Sequence, residues 1–336
     1  MHILLFHDSK LPPPNYGGIE RIVVTLAEEY TRRGHRVSVL CRPGSKLQGS
    51  EVIELPQNWK GENIEKLIPS DVDFIHSHQP LSVEPSIPYL VTIHGNGHPG
   101  EKYFANTNFL SQSHARNHGS SIFVFNGVDP ERYTFVDKKE DYFIFLARTT
   151  WRVKNLKSVI AWANDLNVKL KIIGGNGVSR GNIEYLGFVD DAAKNKALGG
   201  ARALVYPTNW DEPCAGAPLE ALSCGTSVIS TKNGCMSEMV VDGKTGVTCE
   251  TYGEMLGALD KLKTIRPKDC REAVEKYFSV SRMAADYLTL SEKIRNLGKL
   301  VDEKNLPHYN FKRESVRFLY KPTIINQARL FMTGKI

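Results

Sequence analysis

Arg148 stands just past an apolar run at 142–146, and Lys154-Asn155 follows six residues later. Two cations placed past a strand end and at the next helix start could neutralise the departing oxygens of a diphosphate. Further on, Asn209-Trp210-Asp211-Glu212-Pro213-Cys214-Ala215-Gly216-Ala217-Pro218-Leu219-Glu220 follows a second run at 203–206. Pro218 suits the first helical position and Gly225 the residue past the helix end, which puts Glu212 in a loop and Glu220 in a first turn. The amides of Gly216, Ala217 and Leu219 could then face a phosphate, with a carboxylate on each side to accept sugar hydroxyls. The plainer alternatives are a Glu220 that complements its helix dipole, a solvated Glu212, and surface charges at Arg148 and Lys154. Gly17-Gly18, ahead of Ile19-Glu20, leaves bare amides at a helix start or serves as a flexible turn. The pattern Gly-x-Gly-x-x-Gly is missing there, and Gly174-Gly175-Asn176-Gly177 is only a near match, so hydride transfer with a dinucleotide is disfavoured.

Such residues need strand ends to hold them. Short runs rich in Val, Ile and Phe recur at 3–6, 37–40, 74–76, 90–93 and 122–125, and again at 142–146, 170–173, 203–206 and 227–230. Continuous apolar strands alternating with helical patterns predict parallel sheets covered on both faces. The clearest helix has Ile19, Ile22, Val23, Leu26, Ala27 and Tyr30 on one face and is closed by Gly34. The series restarts after Asn126-Gly127-Val128-Asp129-Pro130. The expected fold class is therefore α/β, with two Rossmann-like, doubly wound parallel-sheet domains facing across a cleft. Their expected extents are 1–130 and 138–277, with C-terminal helices at 278–336 returning to the first domain. At about 150 residues per domain, 336 residues also suggest two.

Composition narrows the class. With 41% hydrophobic and 24% charged residues the chain is neither disordered nor collagen-like. No run of about 18 apolar residues suggests a membrane span, and the start of the chain lacks the form of a signal peptide, so a cytoplasmic location is expected. The six cysteines include no Cys-x2-Cys pair and read as buried thiols. Asp71-Val72-Asp73 enters a strand, which disfavours a metal-chelating role, and no metal is expected. Residues 304–336 hold seven Lys or Arg against Glu314 alone, so the whole formal excess of +6 lies there. It is interleaved with Tyr309, Phe311, Phe318, Tyr320 and Phe331. Such a tail suits an anionic membrane face, or a helix packed back on the first domain. A neutral body disfavours nucleic acid.

Taken together, Gly-Gly-x-Glu-Arg (17–21), Asn-Gly-Val-Asp (126–129), Arg-x5-Lys-Asn (148–155) and Glu-x7-Glu (212–220) resemble the family 4 retaining glycosyltransferases of GT-B fold. So do Asp242-Gly243-Lys244-Thr245-Gly246 and Phe278-Ser279-Val280-Ser281-Arg282-Met283. The resemblance implies a metal-independent transferase that takes a nucleotide-sugar donor, a UDP-sugar in preference to a GDP-sugar. Its acceptor would be a glycan or a lipid-linked molecule, in cell-surface polysaccharide or lipopolysaccharide synthesis. A lipid-linked acceptor favours the membrane reading of the tail. By position, Arg148 and Lys154 would hold the diphosphate, Glu212 the donor-sugar hydroxyls and Glu220 the ribose. Gly17, Gly18, Gly216 and Ala217 would lie along the donor, and His94 beside the reacting sugar. Two departures stand out. Glu212-Pro213-Cys214-Ala215-Gly216 replaces the family's Glu-Pro-Phe-Gly-Leu, and Ala147 replaces the glycine before the arginine. A GT-B nucleotide-sugar epimerase and a non-catalytic nucleotide-sugar-binding protein are the alternatives.

Overall fold

The computed structural model describes residues 1–13 and 17–309. The first half winds one six-stranded sheet: β1 (His2–Phe6), β2 (Arg36–Cys41), β3 (Glu51–Glu54), β4 (Phe74–Ser77), β5 (Tyr89–Thr92) and β6 (Thr107–Asn108). The second half winds another: β7 (Phe143–Leu146), β8 (Leu170–Ile173), β9 (Ile183–Gly187), β10 (Ala203–Tyr206), β11 (Ser227–Thr231) and β12 (Gly246–Cys249). The strand orders are β3-β2-β1-β4-β5-β6 and β12-β11-β10-β7-β8-β9. Neighbouring strands run parallel throughout. The fold is therefore α/β with two Rossmann-like domains. In each, the winding reverses beside the first strand, between β1 and β4 and between β7 and β10. Ligands of open parallel sheets sit in the crevice beyond the carboxyl ends at such a reversal.

The helices are α1 (Gly18–Arg32), α2 (Gln112–Asn117), α3 (Leu156–Asp165), α4 (Asp191–Gly200) and α5 (Gly216–Ser223). They continue with α6 (Met236–Met239), α7 (Tyr252–Leu256), α8 (Ala258–Leu262), α9 (Pro267–Tyr277) and α10 (Val280–Leu297). Apolar layers of each sheet pack under these helices, with Leu5, Val39 and Leu26 in one core and Phe145, Val205 and Trp162 in another. The chain crosses between halves twice, side by side: Val128 N donates to Phe278 O at 2.9 Å and Val280 N to Val128 O at 2.8 Å. A Cβ on Gly127 would sit 2.5 Å from the Ser279 carbonyl oxygen, so only glycine lets the two crossings touch. Beyond them α10 packs on α1 and β5, and its Met283, Ala284 and Tyr287 join the first core.

Several expectations shift. Residues 122–125 form no strand; Phe123 makes a single bridge to Phe109. Edge strands escape the apolar-run criterion: β6 has only two residues, and in β3 exposed Glu51 and Glu54 flank just Val52 and Ile53. Pro218 is the third residue of α5 rather than the first, where a missing N–H is still harmless. Of the basic tail, 310–336 lie outside the described residues. Residues 307–309 pack on the first half, with Tyr309 buried and bonded through its backbone to Gly100 and Glu101. Among the described residues no helix is long and apolar enough to cross a membrane.

Candidate functional site

The loops that leave β7 and β10 carry most of the residues with chemistry, and hydrogen bonds stitch them into one unit. Asn209 N donates to Val153 O at 2.7 Å and Asn155 Nδ2 to Pro207 O at 3.1 Å. Asn155 adopts a left-handed conformation (φ 59°) that turns the chain from a short 3-10 segment, Arg152–Lys154, into α3. The outcome is that Lys154 points inward. It is only 8% exposed, and its Nζ bonds the Tyr206 hydroxyl at 2.7 Å and the Glu212 carboxylate. The ammonium lies 5.2–5.8 Å from the ring centres of Trp151, Tyr206 and Trp210, within cation–π range.

Glu212 is 4% exposed. Its Oε1 gathers Lys154, the Tyr206 hydroxyl at 3.3 Å and the Thr208 hydroxyl at 3.0 Å. The loop is pinned from behind by Cys235 N, which donates to Glu212 O at 2.8 Å. Gly234 (φ 59°) makes that approach possible, since a Cβ there would overlap the backbone of Glu212 and Asp211. Arg148 is exposed, with its guanidinium carbon 5.5 Å from the Trp151 ring centre. It is brought close to the sheet end by Gly174, where any Cβ would overlap the Ala147 carbonyl. Gly174-Gly175 thus serves close packing against the Arg148 loop. The fold brings Arg148, Lys154 and Glu212 together at the β7/β10 reversal.

Gly216 opens α5 with no side-chain cap, and among the described residues nothing lies within 4 Å of where its Cβ would be, so there is room beside the helix start. Ala217 follows in the first turn. Glu220 lies one turn on and does not join Glu212; its Oε2 pairs with Lys194 at 3.0 Å. Lys194 also pairs with Asp191 at 3.1 Å, and Asp191 with Arg21 of α1 at 2.8 Å. The Arg21 hydrogen bond holds the Asp191 carboxyl below its usual range. This alternating chain reaches across the cleft to the helix that Gly17 and Gly18 begin, also without a side-chain cap. A Cβ on Gly17 would crowd Glu20 and Pro13 at 2.7 Å, whereas among the described residues nothing lies within 4 Å of where one on Gly18 would be.

Two more ties close the cleft. Asn96 Nδ2 donates to Asp211 O at 2.8 Å, and the Glu238 carboxylate accepts from the amides of Gln112 and Ser113 at 2.9 and 2.8 Å. On the first-half wall, His7, His78 and His94 come from the ends of β1, β4 and β5. His94 is partly exposed, and its Nε2 lies 3.0 Å from His78 Nδ1. Burial, reinforced by neighbouring imidazoles, pushes His94 and His76 down to about 3 and His78 well below its usual value. Asp71 and Asp73 sit at the opposite, amino end of β4, bonded to Arg36 and to His2 N.

Residue type alone did not mark Tyr206, Thr208, Gly234, Lys194 or His78. The one available signal was the His-x-His pattern at 76–78, hidden inside an apolar strand.

Residues 16–132 match the Glycosyltransferase Family 4 model and residues 131–277 the Glycosyl transferases group 1 model. A phosphatidyl-myo-inositol mannosyltransferase of Mycobacterium tuberculosis is 21% identical over 294 residues, covering 68% of this chain and 78% of that protein. Among solved structures, a glycosyltransferase involved in avilamycin A biosynthesis superposes with a TM-score of 0.68 at 21% identity, covering 88% of this chain and 98% of that one. Anabaena HepE in complex with UDP-glucose superposes with a TM-score of 0.64 at 14% identity, covering 88% and 100%.

Proposed function

Because the chain belongs to the family 4 glycosyltransferases of GT-B fold, we propose that it is a retaining enzyme that moves a sugar from a nucleoside diphosphate sugar. The acceptor in this reading is a glycan or lipid-linked molecule of the cell surface, met at the inner face of a membrane. One observation supports the reading: Lys154, clamped to Glu212 beside Arg148, stands at the strand reversal, where open parallel sheets bind their ligands.

The chemistry follows from that placement. Cleaving the sugar–diphosphate bond concentrates negative charge on the leaving oxygens and positive charge on the sugar. Lys154 is held in place before the reaction, and with Arg148 and the uncapped start of α5 it stabilises the diphosphate with little reorganisation. This arrangement supports a reaction that needs no divalent ion. Glu212 keeps its carboxylate at the sugar end, Glu220 receives the ribose hydroxyls, and Gly17 and Gly18 line the cleft opposite. His94 stands at the sugar from the first-half wall. The HepE complex with UDP-glucose favours UDP as the nucleotide, and the mannosyltransferase supports a lipid-linked acceptor.

A thermal-shift panel of UDP-, GDP- and ADP-sugars, each with and without EDTA, tests this. UDP-sugars are expected to stabilise the protein by about 2.7 kcal/mol at a hundredfold over the dissociation constant, with EDTA making no difference. Stabilisation by none of the three, or only without the chelator, contradicts the reading. Product analysis separates the alternatives, since an epimerase alters the sugar with no acceptor present.

A further inference from the structure

We propose that His78 is a positioning residue that fixes the tautomer of His94, so that His94 turns an N–H, at Nδ1, toward the cleft. The functional half of this inference rests on the placement of His94 beside the donor sugar; the structural half does not.

His78 closes the run Phe74–Ser77 on the cleft side of β4 and is 1% exposed. The His76 ring lies 4.2 Å from its own, and Tyr287 of α10 meets it edge-on at 6.5 Å. Its Nδ1 is 3.0 Å from His94 Nε2, and its own Nε2 is buried with no hydrogen-bond partner among the described residues. A neutral imidazole has one N–H and one lone pair, so one ring of the pair gives the proton and the other accepts it. If His94 gave it, His78 would carry its proton on Nε2, as an N–H buried without an acceptor. Such orphaned donors are rarer in folded proteins than under-used acceptors. The favoured arrangement therefore has His78 Nδ1–H donating to His94 Nε2. The proton of His94 is then left on Nδ1, which bonds nothing among the described residues.

The surroundings keep both rings neutral. Burial is the largest cause at His78 and at His94, and the nearby imidazoles act in the same direction. His76 is fixed independently by Thr92, whose hydroxyl lies 2.9 Å from its Nε2, so the stack against which His78 packs is itself held. A neutral His94 with Nδ1–H offers a sugar hydroxyl a donor; the other tautomer would offer a lone pair.

The test is ¹⁵N NMR of imidazole-labelled protein at pH 7.5, with the His94 signals assigned by their loss in His94→Gln. The wild type is expected to show His94 as the Nδ1–H tautomer. His78→Leu is expected to release it to Nε2–H and to lower kcat on the order of tenfold, with donor affinity unchanged. His78→Asn, whose side-chain amide can still donate to Nε2, is expected to restore both tautomer and kcat. A wild-type His94 protonated at Nε2 overturns the proposal, and this measurement needs no variant to fold. A tautomer that behaves as expected while His94→Gln turns over at full rate overturns instead the placement of His94 at the sugar.

Discussion

Acidification from pH 6.5 to 4.5 is expected to unfold the first half of the chain. His76, His78 and His114 are each at most 1% exposed, and burial pushes His76 and His114 down to about 3 and His78 well below its usual value. Once unfolded, each takes up a proton near pH 6.5, so in this window the unfolded state binds more protons than the folded one. Stability then falls as pH falls, by about 1.4 kcal/mol per pH unit for each histidine. Three of them give about 4 kcal/mol per unit, a large share of the usual 5–15 kcal/mol. Carboxylates ordinarily titrate at about 4, so the upper part of the window belongs to the imidazoles. Urea unfolding at pH 7 and 5.5, followed by circular dichroism, reads the effect as a drop in the first midpoint. A midpoint that does not move would mean that the folded protein protonates these rings.

Lys154→Met is expected to cost about 3–5 kcal/mol of stability, because it leaves the nearly buried Glu212 carboxylate without its cation. Tyr206 and Thr208 still reach Oε1, but neither carries charge. Adding Glu212→Gln to Lys154→Met should recover most of that stability, since the unpaired charge is gone. It should not recover turnover. Losing the cation at the diphosphate is expected to lower the rate by about 10²–10³ in the single variant, and by at least as much in the double, which also lacks the carboxylate at the sugar. Calorimetry and donor turnover, measured on wild type, both singles and the double, form the cycle that separates the two roles. A double variant as unstable as Lys154→Met would mean that the pair is not coupled. A double variant that turns over at the wild-type rate would mean that Lys154 does not touch the leaving group.

The central strands were readable because burial on both faces makes them continuous apolar runs, and β10 falls at 203–206 where the run does. The edges were not, since in a strand such as Glu51–Glu54 two exposed glutamates flank only two apolar residues and leave no run to mark it. The site was legible as far as chemistry is written in residue type and spacing: Arg148, Lys154 and Glu212 stand out for charge at strand ends. Their partnership was not legible. Nothing local announces that Asn155 turns left-handed and sends Lys154 inward, nor that Gly234, twenty-two residues after Glu212, is what lets that loop be pinned. Glu220 reads as the twin of Glu212, yet its helix turn gives it to Lys194 and, through Asp191, to Arg21 of the other half. The histidine wall assembles from three strand ends that only the sheet order brings together.

Calorimetric titration of UDP into wild type and Arg148→Ala, both in EDTA, tests the diphosphate site most directly. Arg148 is exposed, and a thermal melt of each protein run alongside separates any loss of stability from loss of the ligand contact. The expected result is metal-free binding to the wild type that weakens at least about tenfold in Arg148→Ala, the loss of one charge-assisted contact of about 1.5–3 kcal/mol. Equal affinity in the two proteins would contradict a diphosphate held at the β7/β10 reversal, as would binding that appears only when a divalent ion is supplied.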